Sequence, residues 1–274
     1  MPAMLIVASW GLIIGGGLGE GAARRREVLQ HGLAATAALA ATGTSASAAA
    51  AEVQPTMKVY FGAGCFWHVQ HELYGEEVAT LQRSPMAVTA ITGYAGGRGA
   101  APDGRVCYHN KQQVADYGAL GHAEVVQVEI PVSAFGDFCI KYFALFGTDG
   151  LRHDTKDRGA EYRSVLGLPG GESSPLYAAV KQAAADSPGG LTLARGQGED
   201  GDTFSDKTVY VYDSNAFPFF PAELYHQFHN DYLGNIRPGE PLNYGKSYNA
   251  LQQSLSKAGA LPDTGCPAPP RYML

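Results

Sequence analysis

The stretch KVYFGAGCFWHVQHEL, residues 58–73, decides how the fold of this chain begins. Its first four residues favour β-structure and predict a short strand over Lys58–Phe61. The small residues 62–64 interrupt that strand, and the pattern from Cys65 onward predicts a helix. Cys65 therefore stands at a helix N-terminus, where unpaired N–H groups and the helix dipole stabilise a thiolate. This position makes Cys65 a candidate nucleophile, although a buried core cysteine fits the local pattern equally well.

Further strands and helices follow this first pair. Val126, Val128 and Ile130 share one face of a strand predicted over Ala123–Ile130. The next helix has an apolar stripe and Ser133 as its predicted N-cap. The stripe comprises Phe135, Phe138, Tyr142 and Leu145. Other predicted strands cover Ala87–Thr92, Tyr162–Leu168 and Thr208–Tyr212, other helices Ser174–Ala185 and Pro221–Tyr232, and loops Gly189–Asp206 and the chain after Gly234.

The order of these elements predicts an α+β fold. We expect a single two-layer domain with a mixed sheet and a ferredoxin-like core, following a cleavable leader. The predicted boundaries are a targeting segment over residues 1–51, the domain over residues 53–261 and a flexible tail over residues 262–274.

The first fifty residues have the composition of a targeting segment. Arg24, Arg25 and Arg26 precede an Ala-rich apolar run and a stretch of small residues, which is the arrangement of a signal peptide. The sequence Arg-Arg-Glu-Val-Leu over residues 25–29 looks like a twin-arginine signal. We therefore expect export to a thylakoid lumen or plastid, or to a bacterial periplasm. An Ala-rich leader that carries no address is the alternative.

Charge and cysteine spacing exclude several classes of function. The formal net charge of -6 does not favour a nucleic-acid binder, which needs a basic surface. The four cysteines form no C-x-x-C pair, so we expect no structural zinc. His226 and His229 could be two ligands of a metal, but no third ligand has a suitable spacing. We therefore expect neither a metal nor another cofactor.

Two more segments carry residues suited to catalysis. In Gly121-His122-Ala123-Glu124 the carboxyl of Glu124 stands at a strand entrance, where burial would let it hold a proton and act as a general acid. In the segment DRGAEYRS, residues 157–164, the phenol of Tyr162 can donate to an oxygen that gains charge. Taken singly, each segment also fits a surface glutamate or an edge tyrosine.

Taken together, the motifs resemble those of the A-type peptide methionine sulfoxide reductases. That family carries G-C-F-W, G-Y-x-G-G, G-H-A-E and D-x-G-x-x-Y-R-S motifs, and this chain has all four in the same order. They lie at residues 64–67, 93–97, 121–124 and 157–164, and the sequence AELYHQ at 222–227 is similar to a further family segment. The resemblance extends over about residues 58–233.

The resemblance implies an oxidoreductase that reduces the S epimer of methionine sulfoxide. Cys65 would attack the sulfoxide sulfur, and Glu124 would donate a proton to the sulfoxide oxygen. Tyr162 would hydrogen-bond that oxygen, and Asp157 would help to hold the site. Phe66 and Trp67 would hold the substrate's methyl group. The products would be methionine and a sulfenic acid on Cys65, which a second thiol can reduce.

The chain departs from the family pattern at several positions. His68 stands where the family has glycine, and an exposed position on the helix is the favoured interpretation of this histidine. Gln70 stands where a glutamate is common. The family's second tyrosine falls on Gln112, so Tyr108 or Tyr117 would take its role, and Tyr108 is preferred.

The sequence does not decide which thiol reduces the sulfenic acid, that is, which cysteine is the resolving one. Cys266 lies in the tail, where family members often carry such a cysteine, and Cys107 is the alternative in the loop before Glu124. Cys139 shares the apolar stripe of its helix and is expected to be a core thiol. If neither candidate resolves the sulfenic acid, an external thiol would act directly.

The expected partners follow from this chemistry. They are oxidised proteins or peptides, free methionine sulfoxide, and thioredoxin or another thiol reductant, with the protein acting as a monomer. Two alternatives stay open: another thiol oxidoreductase or peroxidase, which needs Cys65 but not Glu124, and a non-catalytic relative that binds sulfoxides while His68 blocks the sulfur.

Overall fold

The computed structural model describes residues 54–229 and 246–267. The chain divides into two units, residues 1–50 and residues 51–274. Every described residue belongs to the second unit. The predicted targeting segment, residues 1–51, lies outside the described residues. Within the described ranges, no helix is long and apolar enough to cross a membrane.

The strands of the described residues form one mixed sheet. In chain order they are β1 (Thr56–Gly62), β2 (Ile91–Ala95), β3 (Ala123–Pro131), β4 (Val165–Leu168), β5 (Thr192–Arg195), β6 (Thr208–Asp213) and β7 (Phe220–Pro221). Their order in the sheet is β5-β6-β4-β1-β3-β2-β7. The central pairs are antiparallel, with β1 between β3 and β4 and with β3 next to β2. At one edge β6 and β5 run parallel to their neighbours, and at the other β7 pairs antiparallel with β2.

The helices complete a ferredoxin-like core. They are α1 (Phe66–Thr80), α2 (Phe135–Phe143), α3 (Tyr177–Asp186) and α4 (Lys246–Lys257). The order β1-α1-β2-β3-α2-β4, with sheet order β4-β1-β3-β2 and antiparallel neighbours, is the split βαβ arrangement. The predicted α+β class, the mixed sheet and the ferredoxin-like core are therefore confirmed.

The main hydrophobic core alternates along β3 as predicted. Val126, Val128 and Ile130 belong to this core, whereas Val125 belongs to a smaller cluster on the other face of the sheet. The apolar stripe of α2 is buried in the same core, and so is Cys139. Burial raises the pKa of Cys139 to about 12, which fits the predicted core thiol. Full burial of each large apolar side chain stabilises the fold by roughly 1.5–3 kcal/mol.

Several element boundaries differ from the predictions. Ser133 does not cap α2, because it lies in a 3-10 turn over Val132–Ala134 that leads directly into the helix. The strand predicted over Ala87–Thr92 is β2, which begins and ends later, at Ile91–Ala95. The first three residues of the G-Y-x-G-G motif therefore lie in a strand rather than in a turn. Residues 160–162 form a 3-10 turn before β4 begins.

In the C-terminal part of the chain, three predictions gave the wrong type of secondary structure. The region predicted as a loop over Gly189–Asp206 contains β5, which is held by its parallel pairing with β6. In the region Pro221–Tyr232, which was predicted to be a helix, Pro221 ends β7 and Leu224–His226 form a 3-10 turn. Residues 230–232 lie outside the described residues. The chain after Gly234 was predicted to be loop-like, yet it contains α4.

Candidate active site

Cys65 lies at the junction between β1 and α1, as the N-cap residue of the helix. The preceding residue, Gly64, has a φ of 81°, in the region that glycine tolerates best. A Cβ added to Gly64 would lie 2.4 Å from Asp154 Oδ2, so a side chain there would also collide with a neighbour. The thiol is free of any disulfide and only 6% exposed.

Two carboxyl groups occupy the N–H groups at the start of α1. The Cys65 N–H donates to Asp154 Oδ2 at 2.8 Å, and the Phe66 N–H donates to Glu124 Oε2 at 2.9 Å. Burial raises the pKa of the Cys65 thiol well above its ordinary value, and Glu124 and Asp157 raise this pKa further. The predicted lowering of the thiol pKa is therefore wrong for this form of the protein. A backbone hydrogen bond from Trp67 at the helix start lowers this pKa, but burial and the charges of Glu124 and Asp157 outweigh it.

Glu124 lies at the start of β3 and is 2% exposed. Burial raises the pKa of its carboxyl well above the ordinary value, and the bond from the Phe66 N–H only partly opposes this rise. Asp157 and Asp154 add to the rise because their charges disfavour a second anion. The raised pKa favours the protonated carboxyl, which is the form that can act as a general acid.

Asp157 and Asp154 form a hydrogen-bonded carboxyl pair beside the nucleophile. The side chain of Asp157 bonds to both Asp154 and Cys65. Burial, followed by the charge of Asp154, raises the pKa of Asp157 to about 6. Asp154 is 1% exposed and also accepts the N–H groups of Lys156 at 3.0 Å and Asp157 at 3.3 Å. It thus fixes the backbone on both sides of the site.

Two half-buried tyrosines lie next to the thiol and Glu124. The hydroxyl groups of Tyr108 and Tyr162 are hydrogen-bonded to each other. Burial raises the pKa of both phenols, and the charge of Glu124 raises both further. Tyr117 is fully buried, stacks on Tyr94 with ring centroids 4.6 Å apart and points its hydroxyl at Glu161 Oε2, 3.5 Å away. The structure therefore brings Tyr108 to the site, with Tyr117 packed behind it.

Aromatic rings form one wall of the site. The ring centroids of Phe66 and Trp67 are 6.4 Å apart. His226 packs against this pair, with its ring centroid 5.2 Å from Phe66 and 5.9 Å from Trp67. Tyr108 closes the cluster at 4.3 Å from His226. Such a wall provides apolar surface for a small group such as a methyl.

Arg163 ties the separate sequence motifs into one site. Its fully buried guanidinium donates to the carbonyl oxygens of Gly96 at 2.8 Å, Gly121 at 3.0 Å and Ala160 at 2.7 Å. These carbonyls belong to the G-Y-x-G-G, G-H-A-E and D-x-G-x-x-Y-R-S motifs. One buried guanidinium therefore binds three carbonyl oxygens from motifs that are far apart in sequence.

The two departures near the nucleophile are both buried. His68 is 1% exposed, so the predicted exposed position is wrong. Burial lowers the pKa of His68 to about 4, and Glu72, His153 and Asp154 are among the groups that act on it. Gln70 donates to the Ala90 carbonyl at 2.9 Å and accepts the Phe228 N–H at 2.6 Å. Gln70 therefore connects α1 to the segment that carries His226.

The two candidate resolving cysteines are bonded to each other. Cys107 and Cys266 form a disulfide, while Cys65 is free. Cys107 is fully buried and Cys266 is partly exposed. Arg105 also donates to the Gly265 carbonyl at 2.7 Å. Gly265 and Cys266 are thus tied to the loop that carries Tyr108. The flexible tail over residues 262–274 stays a prediction, and residues 268–274 lie outside the described residues.

A cluster of metal-ligating atoms exists beside this disulfide. The sulfur atoms of Cys107 and Cys266 and a carboxylate oxygen of Glu223 lie within 4.8 Å of one another. The two sulfur atoms are bonded to each other, which removes them as ligands in this oxidised form. Glu223 already accepts the Tyr108 N–H at 2.7 Å and the Tyr94 hydroxyl at 2.9 Å.

Sequence reasoning missed three residues of this site. Asp154 stands outside the quoted motifs, and only its position three residues before Asp157 could have drawn attention to it. Glu223 and His226 lie in the segment that resembled the family, but neither received a role there. Their contacts with the site connect residues more than a hundred positions apart, and no local pattern shows that.

Comparisons with known proteins agree with the motifs. A family model described as peptide methionine sulfoxide reductase matches residues 57–244. A peptide methionine sulfoxide reductase of Polynucleobacter asymbioticus is 29% identical over 177 residues, which cover 63% of this chain and 76% of that protein. One from Methanothermobacter thermautotrophicus is 29% identical over 173 residues, covering 62% and 83%. Methionine sulfoxide reductase A of Corynebacterium diphtheriae aligns structurally at 21% identity and a TM-score of 0.38, covering 64% of this chain and 74% of that one.

Proposed function

Because the chain belongs to the peptide methionine sulfoxide reductase family, we propose that Cys65 is the nucleophile with which it reduces methionine S-sulfoxide to methionine. This assignment rests on the chemical groups that one buried site brings together. It holds the free thiol of Cys65, the buried carboxyl of Glu124 and the paired hydroxyls of Tyr108 and Tyr162. These are the groups that the reduction of a sulfoxide requires.

Glu124 acts as the general acid in this proposal. A sulfoxide oxygen is a poor leaving group until it is protonated. Burial raises the pKa of Glu124 and so favours the protonated form that can supply this proton. The sulfur of Cys65 attacks the sulfoxide sulfur. The bond between that sulfur and the oxygen breaks, and the oxygen ends up bonded to the sulfur of Cys65. In balance, one thiol and one sulfoxide give one thioether and one sulfenic acid.

The remaining site residues hold the substrate. The hydroxyls of Tyr108 and Tyr162 donate to the oxygen as it gains charge. Phe66 and Trp67 contact the methyl group, because their rings form the apolar wall next to Cys65. Asp157 bonds to the thiol and keeps it oriented.

The test is an assay of residues 53–274 with dithiothreitol and a racemic methionine sulfoxide peptide. The wild-type protein should consume the S epimer only, and Cys65→Ser should consume neither epimer. Cys139→Ala is the matched control, because Cys139 is a core thiol outside the site and its loss should leave turnover in place. Reaction with peroxide but not with sulfoxide would indicate a thiol peroxidase. Binding of the peptide by folded protein without turnover would indicate a non-catalytic relative.

Cys107 and Cys266 resolve the sulfenic acid in this proposal. Cys107 adjoins Tyr108, whose hydroxyl belongs to the site, and Cys266 is already bonded to Cys107. The Cys107 thiol and the sulfenic acid condense to a Cys65–Cys107 disulfide with loss of water. Attack by the Cys266 thiol on Cys107 then frees Cys65 and forms the observed disulfide, which thioredoxin or another dithiol reduces. The partly exposed sulfur of Cys266 favours access from outside.

One turnover without reductant tests this order. Reduced wild-type protein given one equivalent of sulfoxide should lose two thiols and give no product with dimedone, which traps sulfenic acids. Cys266→Ser should stop at a Cys65–Cys107 disulfide, and the double variant with Cys107→Ser should accumulate the dimedone adduct. A dimedone adduct in the wild-type protein would show that an external thiol resolves Cys65 directly.

Export through the twin-arginine-like segment is a further proposal. Its support is the pattern at residues 24–51, an arginine cluster followed by an Ala-rich apolar run and a stretch of small residues. Residues 1–52 fused to a reporter should direct it out of the cytosol, and replacing Arg25 and Arg26 by Lys should prevent this. If the reporter is still exported after Arg25 and Arg26 are replaced by Lys, a twin-arginine route is contradicted.

We also propose that the protein acts as a monomer on peptide-bound or free methionine sulfoxide. Among the described residues the exposed large apolar side chains lie on separate elements, rather than on one large apolar surface typical of obligate dimers. They are Val78, Met86, Ile140 and Leu224. Sedimentation equilibrium of the 53–274 protein should give the mass of one chain.

A further inference from the structure

A carboxylate lies against the disulfide, and the proposed reaction gives this carboxylate no chemical role. One oxygen of Glu223 lies within 4.8 Å of the sulfur atoms of both Cys107 and Cys266. Cys107 and Glu223 are buried, and Cys266 is partly exposed. Three segments that are distant in sequence thus bring two sulfur ligands and one oxygen ligand to the same point.

Hydrogen bonds hold the two cysteines side by side independently of the disulfide. The Cys107 N–H donates to the Ala115 carbonyl at 2.7 Å, and the Cys107 carbonyl accepts the Tyr117 N–H at 2.8 Å. On the other side of the disulfide, Arg105 donates to the Gly265 carbonyl at 2.7 Å. Reduction of the disulfide therefore leaves two neighbouring thiols, and small side-chain rotations are enough for both sulfur atoms to reach one ion.

The carboxylate of Glu223 is oriented by donors outside the cluster. Its Oε1 accepts the Tyr108 N–H at 2.7 Å, and its Oε2 accepts the Tyr94 hydroxyl at 2.9 Å. Each carboxylate oxygen has two lone pairs, so each can bind a metal in addition to its present donor. Carboxylates that bind metals are commonly held in place by hydrogen bonds of this kind.

A cavity beside the cluster provides access for an ion and room for a water ligand. Its volume is about 560 Å³, and both Glu223 and Cys266 line it. Ser256 near the end of α4 and Leu261 after this helix also line the cavity. An ion that enters the cavity therefore meets the carboxylate of Glu223 and the sulfur of Cys266.

From this geometry we propose that the reduced protein has a zinc site formed by the thiolates of Cys107 and Cys266 and a carboxylate oxygen of Glu223, with water as the fourth ligand. Thiolate ligands favour zinc over magnesium and calcium, which prefer oxygen ligands. Two sulfur ligands, one carboxylate oxygen and one water complete the tetrahedron that zinc prefers. Binding releases the two thiol protons and transfers no electrons. The site exists only while the disulfide is reduced, so zinc and the disulfide exclude each other.

Zinc bound at this site interrupts the regeneration of Cys65. Cys107 is the proposed partner of the sulfenic acid, and a thiolate that is bound to zinc is not free to attack it. The first chemical step uses Cys65 and Glu124, which are not ligands of the metal. This regulatory consequence rests on the proposed function, whereas the metal site itself rests on the geometry of the three ligands.

The test measures zinc binding to the full chain after reduction with a phosphine, which leaves no competing thiol in solution. Reduced wild-type protein should bind one zinc ion per chain at this site, and oxidised wild-type protein should lack it. Glu223→Gln should weaken the affinity more than about tenfold, because an amide oxygen carries no charge. Cys139→Ala and Cys65→Ser are the matched controls and should both retain the zinc. With cobalt in place of zinc, the thiolate-to-metal absorption should decrease in Cys107→Ser and in Cys266→Ser.

Other outcomes overturn the proposal. Equal zinc binding by reduced and oxidised protein would place the metal elsewhere, and loss of zinc in Cys65→Ser would place it at the nucleophile. An unchanged affinity in Glu223→Gln would remove the carboxylate from the site. If Glu223→Gln does not fold, Cys266→Ser, at a partly exposed position, tests the same set of ligands.

A single turnover separates the metal site from the proposed function. Reduced protein loaded with zinc and given one equivalent of sulfoxide should release methionine and give a dimedone adduct at Cys65, whereas metal-free protein should form a disulfide. Disulfide formation at the same rate with and without zinc would contradict the regulatory consequence. Absence of methionine in both samples would contradict the proposed function alone, because zinc binding is measured without turnover.

Discussion

The charge state of Cys65 depends on the carboxyl groups around it. Glu124, Asp157 and Asp154 all oppose a thiolate, and burial opposes it most. The N–H groups of Cys65 and Phe66 are engaged by two of these carboxyl groups. The resting site therefore holds a neutral thiol, and formation of the thiolate is coupled to the arrival of a substrate that changes this environment.

Alkylation by iodoacetamide reports the thiolate fraction directly. Because the thiol pKa is raised, Cys65 should be alkylated slowly at pH 7 and progressively faster as the pH rises above 9. Asp157→Asn should speed alkylation at pH 8, because Asp157, whose pKa is about 6, is then ionised and its charge disfavours the thiolate. Mass spectrometry of the Cys65 peptide gives the rate. Rapid alkylation of the wild-type protein at pH 6 would contradict this prediction.

Replacing the general acid should reduce turnover far more than binding. Glu124→Gln should lower kcat by about 10²–10⁴-fold, because Gln can accept the Phe66 N–H but cannot donate a proton to the sulfoxide oxygen. The affinity of Cys65→Ser/Glu124→Gln for the sulfoxide should stay close to that of Cys65→Ser. Steady-state kinetics and calorimetry separate the two. A kcat within about threefold of wild type would assign the proton to another group.

At this residue scale the sequence predicted which side chains meet but not how they titrate. Cys65, Glu124 and Tyr162 share one site, as the motifs suggested, and Tyr108, the preferred candidate for the second tyrosine, lies there too. The thiol pKa was predicted in the wrong direction, since the number of carboxyl groups around a sulfur is a property of the folded chain.

Among the elements, the loop before β3 and the turn before β4 are joined by one histidine. His109 Nδ1 lies 2.9 Å from Asp116 Oδ2, and its Nε2 lies 3.2 Å from Glu161 Oε2. The bonds to Glu161 and Asp116 raise the pKa of His109 to about 9. The protonated ring therefore links the loop that carries Tyr108 to the turn that carries Tyr162.

This link should make stability depend on pH in the alkaline range. The folded-state pKa of about 9 exceeds the unfolded value of about 6.5, so the stabilisation is complete below pH 6.5 and is lost as the pH rises through 9. The effect is modest because the ring is partly exposed. His109→Gln should remove this part of the pH dependence. Urea unfolding at pH 6 and pH 9.5 measures it, and an unchanged difference between the two pH values would reject the link.

The loop of the nucleophile depends on Asp154. Asp154→Ala should lower the free energy of unfolding by about 1–3 kcal/mol, because the buried N–H of Cys65 loses its acceptor. Asp206→Ala, at an exposed aspartate, is the matched control and should change it by less than about 0.5 kcal/mol. Urea denaturation of both variants provides the comparison. Equal stability of the two variants would mean that Asp154 contributes nothing to holding the loop.

For the elements, local patterns predicted the central strands and helices and failed at the edges. α2 buries the predicted stripe because its apolar spacing matches the helical period. β5 was missed because a short edge strand is defined by its parallel partner. Residues 224–226 form a 3-10 turn in place of the predicted helix, and side-chain bonds from Gln227 to Thr92 and Ala222 hold the adjacent backbone.

For the molecule as a whole, the disulfide connects the C-terminal residues to the site over a sequence separation of 159. Such a bond restricts the unfolded chain and typically stabilises a protein by about 2–4 kcal/mol. The double variant Cys107→Ser/Cys266→Ser should unfold at lower urea concentration by about that free energy. Wild-type protein treated with a phosphine reductant should match it. Equal midpoints for oxidised and reduced wild-type protein would contradict this contribution.

The amino-acid sequence alone was enough to predict the fold class and to mark the residues that we propose react. Strand and helix periods set which face each element buries, and the four motifs marked Cys65, Glu124 and Tyr162 without any structure. The pKa shifts of Cys65 and Glu124, the pairing of Cys107 with Cys266 and the positions of Asp154 and His226 became visible only in the folded chain. The two kinds of information differ because the underlying interactions act over different separations in sequence. Backbone preference and amphipathic spacing act over a few neighbouring residues, whereas burial and hydrogen bonding depend on residues brought together from distant parts of the chain.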